Sequence, residues 1–528
     1  MGNINKYKRQ QRSVIFFYGK KIVITFCFLL FGVIFCYGQK ENILIKGNIA
    51  KYASQPLYLY KCYGDTMPLI DSIRTDKKGD FLFLTSSLDK MGEQSGLYKI
   101  DLQKNQFFYF LYNSSLPKIE DRSVNIKTLY KSDFFYNIAT DSLVVLSPSA
   151  KKNEGYEDNK LFYEFQNIQQ KINIANYFLL QMMRLYPLPD PFHKQIEDEY
   201  FVRYDAMDKF VKKLQASSQE IARQSLAKKL TYAYYQSVLP DWKQPDPWRD
   251  SIIAFHYFDY FNPADSFYYQ TNILPEKIDV FLQLRTNKKD SYGQPIRDEM
   301  ISAIAAQDFM EKIKGNQRNF DFCLNYFLKK FNKEHLNDAF FFLYNKYGKP
   351  LTGDCASSNT DLNWAREKAS VLQGIQIGII APDFEIYPIE NSNYSATAEN
   401  GKLKMLQLKE DYTLILFWAT WCSHCTEAVP KIKETISNFN ADLAIKGKKL
   451  ITVTISLDTD KEKYLKYLKE QGLQSFINFS EYKGWQSEIG KKYNVYATPT
   501  MFLLDKDKRI ISKPTTLEEL IDALTKIK

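Results

Sequence analysis

Histidine is scarce in this chain of 528 residues, which has four, at His193, His256, His335 and His424. None forms a pair at metal-binding spacing, so a zinc site around two of the cysteines lacks its remaining ligands and no metal is expected. Glycine and proline are also few, 21 and 19, against 45% apolar and 25% charged residues. That balance excludes a collagen-like or disordered chain. Acidic residues are missing altogether from residues 1–38. The apolar run there, Ile22 to Phe35, falls short of the roughly 20 residues that a membrane span needs. Internal repeats and low-complexity tracts are absent.

What is present near the start has an order. Lys6, Lys8, Arg9, Arg12, Lys20 and Lys21 precede the apolar run, and Cys36-Tyr37-Gly38-Gln39 follows it. Basic residues, a short apolar core and small residues before a cut make the layout of a secretory signal peptide. Cleavage is expected near Gly38, with an uncleaved anchor as the alternative. Phe35 stands where a lipoprotein signal wants a small residue, which disfavours lipidation at Cys36. The leader also holds six of the ten net positive charges, so the remainder gives no nucleic-acid signal. The expected location is the periplasm or cell envelope.

The chain exceeds one hydrophobic core, which points to several domains. Residues 39–150 alternate in short aromatic runs, as in Leu57-Tyr58-Leu59-Tyr60, Phe81-Leu82-Phe83-Leu84 and Phe107 to Tyr112, and are expected to form a β-sandwich. Over 151–370 the period becomes helical. Met207, Phe210, Val211 and Leu214 share one face, as do Phe322, Tyr326 and Phe327 with Phe331. Proline clusters at Pro187 to Pro191 and Pro240 to Pro247 divide this region, and Gly348 to Thr360 reads as a hinge. Over 371–528 apolar strands at Leu414–Phe417, Leu450–Leu457 and Thr500–Leu504 alternate with helices marked by Val429, Ile432, Ile436 and Phe439 and by Tyr464, Leu465 and Leu468. Such alternation predicts an α/β layer fold.

Of seven cysteines, Cys27 and Cys36 lie in the leader. Cys62 and Cys323 read as small buried thiols. Cys355 lies in the loop Gly353-Asp354-Cys355-Ala356, with pairing to Cys323 or exchange with a reactive dithiol as minor alternatives. Only Cys422 and Cys425 have a spacing with its own chemistry. They lie between a strand and a helix in Trp421-Cys422-Ser423-His424-Cys425. Unsatisfied N–H groups and the positive end of the helix dipole favour a thiolate at the first cysteine. Cys422 is therefore the expected nucleophile and Cys425 the resolving thiol.

The run Phe417 to Cys425, with Pro430 farther on and Ala497-Thr498-Pro499-Thr500 near the end, resembles a thioredoxin-fold domain. Ala381-Pro382-Asp383-Phe384 and Ile455-Ser456-Leu457-Asp458 narrow the resemblance to the exported TlpA/ResA-like branch. It covers residues 371–528. It implies a thiol-disulfide oxidoreductase acting on protein thiols or disulfides, recharged by an unidentified membrane or periplasmic electron donor, with no cofactor. It also implies that Pro499 is a cis-proline facing the dithiol and that Trp421, Thr498 and Pro499 meet the substrate. His256 to Gln283 resembles, more loosely, a helical module of unknown role that precedes such domains, and the β region fits its usual companion. Two positions depart from the pattern. Leu416 replaces the buried acid of thioredoxins, and Ala428 replaces the Glu of ResA-like proteins. Glu427 points away from the sulfurs on a helix, so His424, with Ser423, is left to tune the redox pair. Two other readings stand beside this one. In one the dithiol is secondary on a partner-binding scaffold. The other is a peroxiredoxin-like peroxide reductase, which lacks its usual Thr because Ala419 stands three residues before Cys422.

Overall fold

The computed structural model describes residues 44–84, 95–102, 106–114, 116, 124–129, 144–146, 154–216, 225–239, 244–287, 298–351, 362–387 and 402–527. The leader, Cys355, Pro240 and most of the expected hinge lie outside them. The chain gathers into two compact units, one ending at Tyr235 and taking in Gln270–Asn272, the other formed by Gln236–Tyr269 and Ile273–Lys528.

Among the described residues the first unit opens with eight strands: β1 (Leu44–Ala50), β2 (Pro56–Lys61), β3 (Leu69–Arg74), β4 (Asp80–Leu84), β5 (Gly96–Asp101), β6 (Phe107–Tyr112), β7 (Val124–Leu129) and β8 (Val144–Leu146). They form two four-stranded sheets, ordered β4-β1-β7-β8 and β3-β2-β5-β6. Period-two patterning puts Leu57 and Leu59 of β2 and Phe108 and Phe110 of β6 inside. Gly47 of β1 lies where a Cβ would come within 2.0 Å of the Ile126 carbonyl oxygen, so β1 and β7 approach closely only because no side chain is there. Among the described residues, helices α1 (Glu154–Leu185), α2 (Pro191–Ala216) and α3 (Leu226–Tyr234) follow. The proline cluster does separate α1 from α2. The Asn159 amide accepts from Leu111 N–H and donates to Leu111 C=O, each at 2.8 Å, which ties α1 to the backbone of β6.

The second unit begins with helices α4 (Asp246–Phe255), α5 (Ile273–Thr286), α6 (Glu299–Ile313), α7 (Gln317–Lys333), α8 (Asn337–Leu343) and α9 (Asn363–Gly374). Their core is aromatic. Phe261, Phe281, Phe309 and Phe327 are buried, and Phe309 meets the other three with ring centroids 5.7 to 6.4 Å apart.

The rest of the second unit contains strands β9 (Glu385–Ile386), β10 (Leu403–Lys404), β11 (Tyr412–Trp418), β12 (Leu450–Ser456), β13 (Ile477–Ser480), β14 (Thr500–Leu504) and β15 (Ile510–Ser512). Its helices are α10 (Ser423–Ile445), α11 (Lys461–Glu470), α12 (Glu488–Lys492) and α13 (Leu517–Ile527). Five strands form one sheet in the order β13-β12-β11-β14-β15. β11, β12 and β13 run parallel, and β14 is antiparallel to β11. Covered on both faces, β11 reads as a nearly continuous apolar run, and β12 is buried at every position although Thr452, Thr454 and Ser456 alternate with its apolar residues. N-terminal β sheets, a central helical region and a C-terminal α/β layer thus agree with the fold class expected from sequence.

Candidate active site

The central strand β11 ends at Trp418, and four residues later the chain enters α10. Asp458, just past β12, anchors the turn between them. Its carboxylate is 1% exposed. It accepts from the Thr420 N–H at 3.0 Å, from the Thr420 hydroxyl at 2.6 Å and from the Ser456 hydroxyl at 2.6 Å. A second tie runs from Leu457 N–H to the Trp418 carbonyl at 2.8 Å. The motif Ile455 to Asp458 thus works as a clamp on the segment that carries the thiols.

Cys422 is the N-cap of α10. Its Sγ accepts from the Cys425 N–H at 3.2 Å, taking one of the helix-start donors that otherwise has no intrahelical partner. The same Sγ donates to the Thr498 carbonyl at 3.3 Å. Cys425 is fully buried, its Sγ lies 2.6 Å from that of Cys422, and it donates to it. Burial, reinforced by that hydrogen bond, pushes the Cys425 thiol above the ordinary cysteine range. The two sulfurs are therefore unequal. Cys422 sits at the surface end of the pair, and Cys425 is held protonated beneath it.

Pro430 lies inside α10 and has no N–H for the Thr426 carbonyl four residues back. The Tyr467 hydroxyl donates to that carbonyl at 3.1 Å, and its ring lies 5.3 Å from Trp418. The helix keeps its course beside Cys425 through a side chain of α11.

Of the residues singled out from sequence, the structure brings Trp421, Cys422, Ser423, His424, Cys425, Thr498 and Pro499 to one end of the sheet. Thr498 and Pro499 are half-buried and joined by a cis peptide. Ser423 and His424 are exposed in the first turn of α10. Trp421 is 53% exposed, donates from Nε1 to the Leu457 carbonyl at 3.3 Å and packs against Trp485 at 5.7 Å between ring centroids. Leu416 lies in the same core cluster as Cys425, Ala428 packs against it, and Ala419 is buried. Glu427 is paired with Lys431 at 2.9 Å on the exposed face, as its helical position requires. The Ala381 to Phe384 motif is structural: Tyr493 donates to the Pro382 carbonyl at 2.7 Å, and Leu406 N–H to the Asp383 carboxylate at 3.1 Å. Cys62 and Cys323 are unpaired and buried. Among the described residues no group of His, Cys, Asp and Glu is arranged to hold a metal ion.

Sequence reasoning named the Asp458 motif without giving the carboxylate a role. The hint was a buried-strand end followed by an acid, with a hydroxyl, Ser456, two residues before it. It also passed over Trp485, which carries no motif.

Residues 410–510 match a family model described as thioredoxin-like. The thiol-disulfide oxidoreductase ResA of Bacillus thuringiensis is 28% identical over 158 residues, 29% of this chain and 79% of that protein. The thioredoxin-like protein YneN of Bacillus subtilis is 27% identical over 133 residues, 25% of this chain and 68% of that one. Among solved structures, a thiol-disulfide oxidoreductase from Bacteroides fragilis aligns at 25% identity over 29% of this chain and 100% of that one, with a TM-score of 0.24. The C-terminal region of this chain is a thioredoxin-like domain related to the ResA thiol-disulfide oxidoreductases, preceded by additional β and helical regions.

Proposed function

We propose that this protein is an exported thiol-disulfide oxidoreductase that exchanges disulfides with protein substrates through Cys422 and Cys425. The observation that carries this reading is the inequality of the two sulfurs, one capping a helix beside the Thr498 carbonyl and the other buried and protonated. In the reducing direction the Cys422 thiolate attacks one sulfur of a substrate disulfide. A mixed disulfide forms, and the first substrate thiolate leaves and takes up a proton. Cys425 then loses its proton and attacks the Cys422 sulfur. The second substrate thiol departs, reduced, and the Cys422–Cys425 disulfide remains. The pair has given two electrons, which an external dithiol donor restores. Run backwards, the same steps oxidise a substrate.

The extended substrate segment lies along Thr498 and Pro499, with the exposed indole of Trp421 against its side chains. Ser423 and His424 tune the pair from the first helical turn. No cofactor or metal takes part, and nucleic acid is no partner. Export rests on the basic and apolar order of residues 1–38. Among the described residues no helix is long and apolar enough to cross a membrane.

The test is turnover of a protein disulfide such as insulin by the chain lacking residues 1–38, with dithiothreitol as donor. Cys422→Ser is expected to abolish turnover and Cys425→Ser to accumulate a mixed disulfide. Turnover undiminished in Cys422→Ser would overturn the proposal.

A further inference from the structure

The loop that reaches the thiols is held from outside the thioredoxin-like layer. It runs from Asn494, just after α12, to Pro499. Both ends of the Asn494 amide are engaged by helices: Nδ2 donates to Asn337 Oδ1 of α8 at 3.2 Å, and Oδ1 accepts from Lys368 Nζ of α9. Two residues on, the Tyr496 ring lies flat on the imidazole of His335, with centroids 3.8 Å apart and planes 2° from parallel. Two residues further, the Thr498 carbonyl accepts from Cys422 Sγ.

His335 stands in the short link between α7 and α8 with φ +58°. It follows the end of α7, where Leu336 N–H bonds to the Phe331 carbonyl at 2.8 Å and closes the helix. Its backbone is thus fixed by the helix end, and the ring it carries is a fixed platform. The aromatic face and the two amide contacts meet the loop at Tyr496 and Asn494, ahead of Thr498 along the chain, leaving only Ala497 between Tyr496 and Thr498.

We propose that His335, supported by Asn337, is a positioning residue for thiol-disulfide exchange: it sets the Tyr496–Thr498 loop at the distance at which that loop's backbone receives an extended substrate beside Cys422. The helical region is in this sense part of the substrate-binding apparatus. This inference rests on the exchange reading proposed above, and it separates two kinds of substrate. A disulfide within a peptide uses the loop backbone as well as the sulfur, whereas a small aromatic disulfide needs only the sulfur.

The experiment compares a disulfide-bonded peptide with 5,5′-dithiobis(2-nitrobenzoate) as substrates of the chain lacking residues 1–38. His335→Asn removes the ring but keeps a residue type that tolerates positive φ. Tyr496→Leu breaks the stack from the loop side, and Tyr496→Phe keeps it. His335→Asn and Tyr496→Leu are expected to raise KM for the peptide at least about threefold with kcat little changed, as loss of substrate positioning requires. The nitrobenzoate rate should hold, and Tyr496→Phe should match the wild type. KM unchanged for the peptide, or moved equally for both substrates, would overturn the proposal. Should the wild type reduce neither substrate, the exchange reading fails by itself. The loop is then read from backbone amide hydrogen exchange over residues 494–500: exchange faster by about twofold or more in His335→Asn keeps His335 as a positioning residue, and unchanged exchange removes it.

Discussion

Thr420 gives both its backbone N–H and its hydroxyl to the carboxylate of Asp458, 38 residues downstream, at 3.0 and 2.6 Å. This joins the segment leading into the thiols to the neighbouring strand end and leaves the turn little freedom. Asp458→Ala strands three donors, two on half-buried Thr420 and one on buried Ser456, and a hydrogen bond to a charged group contributes about 1.5–3 kcal/mol. Loss of about 2–4 kcal/mol in denaturant unfolding is expected, together with slower exchange. Asp458→Asn, which keeps an acceptor, should recover part of both. An Asp458→Ala protein with wild-type stability and turnover would mean that the turn holds its shape unaided.

The raised thiol of Cys425 has a kinetic signature. Burial is the main cause, so its thiolate is a minor species at neutral pH, and its fraction grows about tenfold for each unit of pH below the pKa. Release of a substrate trapped on Cys422 should therefore accelerate about tenfold per unit between roughly pH 6 and 9. Single-turnover quench with mass spectrometry measures it. A flat profile would assign proton removal to another group.

His424 occupies the first turn of α10, where proline fits the backbone. An imidazole that hydrogen-bonds or carries charge beside the thiolate favours the reduced pair, so His424→Pro should lower the reduction potential. About 30 mV corresponds to ~1.4 kcal/mol for two electrons, a shift that glutathione titration resolves. An unchanged potential would leave His424 as surface.

Lys277 is buried, with Nζ 4.4 Å from the centre of the Tyr257 ring. Burial pulls its amine from the ordinary 10.5 down to about 8. Between those values the unfolded chain binds the proton and the folded chain has lost it, so this group makes stability rise with pH across that window. Below it both states are charged and the burial cost, about 3 kcal/mol less a cation–π gain of about 1–2, is fully present. Lys277→Met should stabilise the protein by about 1–2 kcal/mol at pH 7 and remove the alkaline rise. Calorimetry from pH 7 to about 10.5 checks both.

Local patterns carried much of this structure. The period-two runs of β2, β4 and β6, the buried face of α2, the apolar runs of β11 and β14 and the β-branched run of β12 follow from local sequence, and Cys422 and Cys425 announce themselves by their spacing. β13 and β15 did not, being four and three residues long, too short for a period to register. The carboxylate of Asp458 and the indole of Trp485 join the site only once the sheet is folded. His335 and Tyr496 are more distant still: no local rule links a helix-end histidine to a loop tyrosine 161 positions later. Long-range pairing of this sort is a property of the packed chain.

The burial of Cys62 and Cys323 has a consequence for a molecule that trades disulfides, since it risks trading them with itself. Each side chain is wholly covered, and burial alone drives the Cys323 thiol far up while Cys62 stands near 12. Neither supplies a thiolate at physiological pH, and neither presents a sulfur along the line an attacking thiolate needs. Of the four described thiols, Cys422 alone keeps a route to solvent, so exchange of the redox pair with Cys62 or Cys323 is suppressed by packing without any need to eliminate those two cysteines.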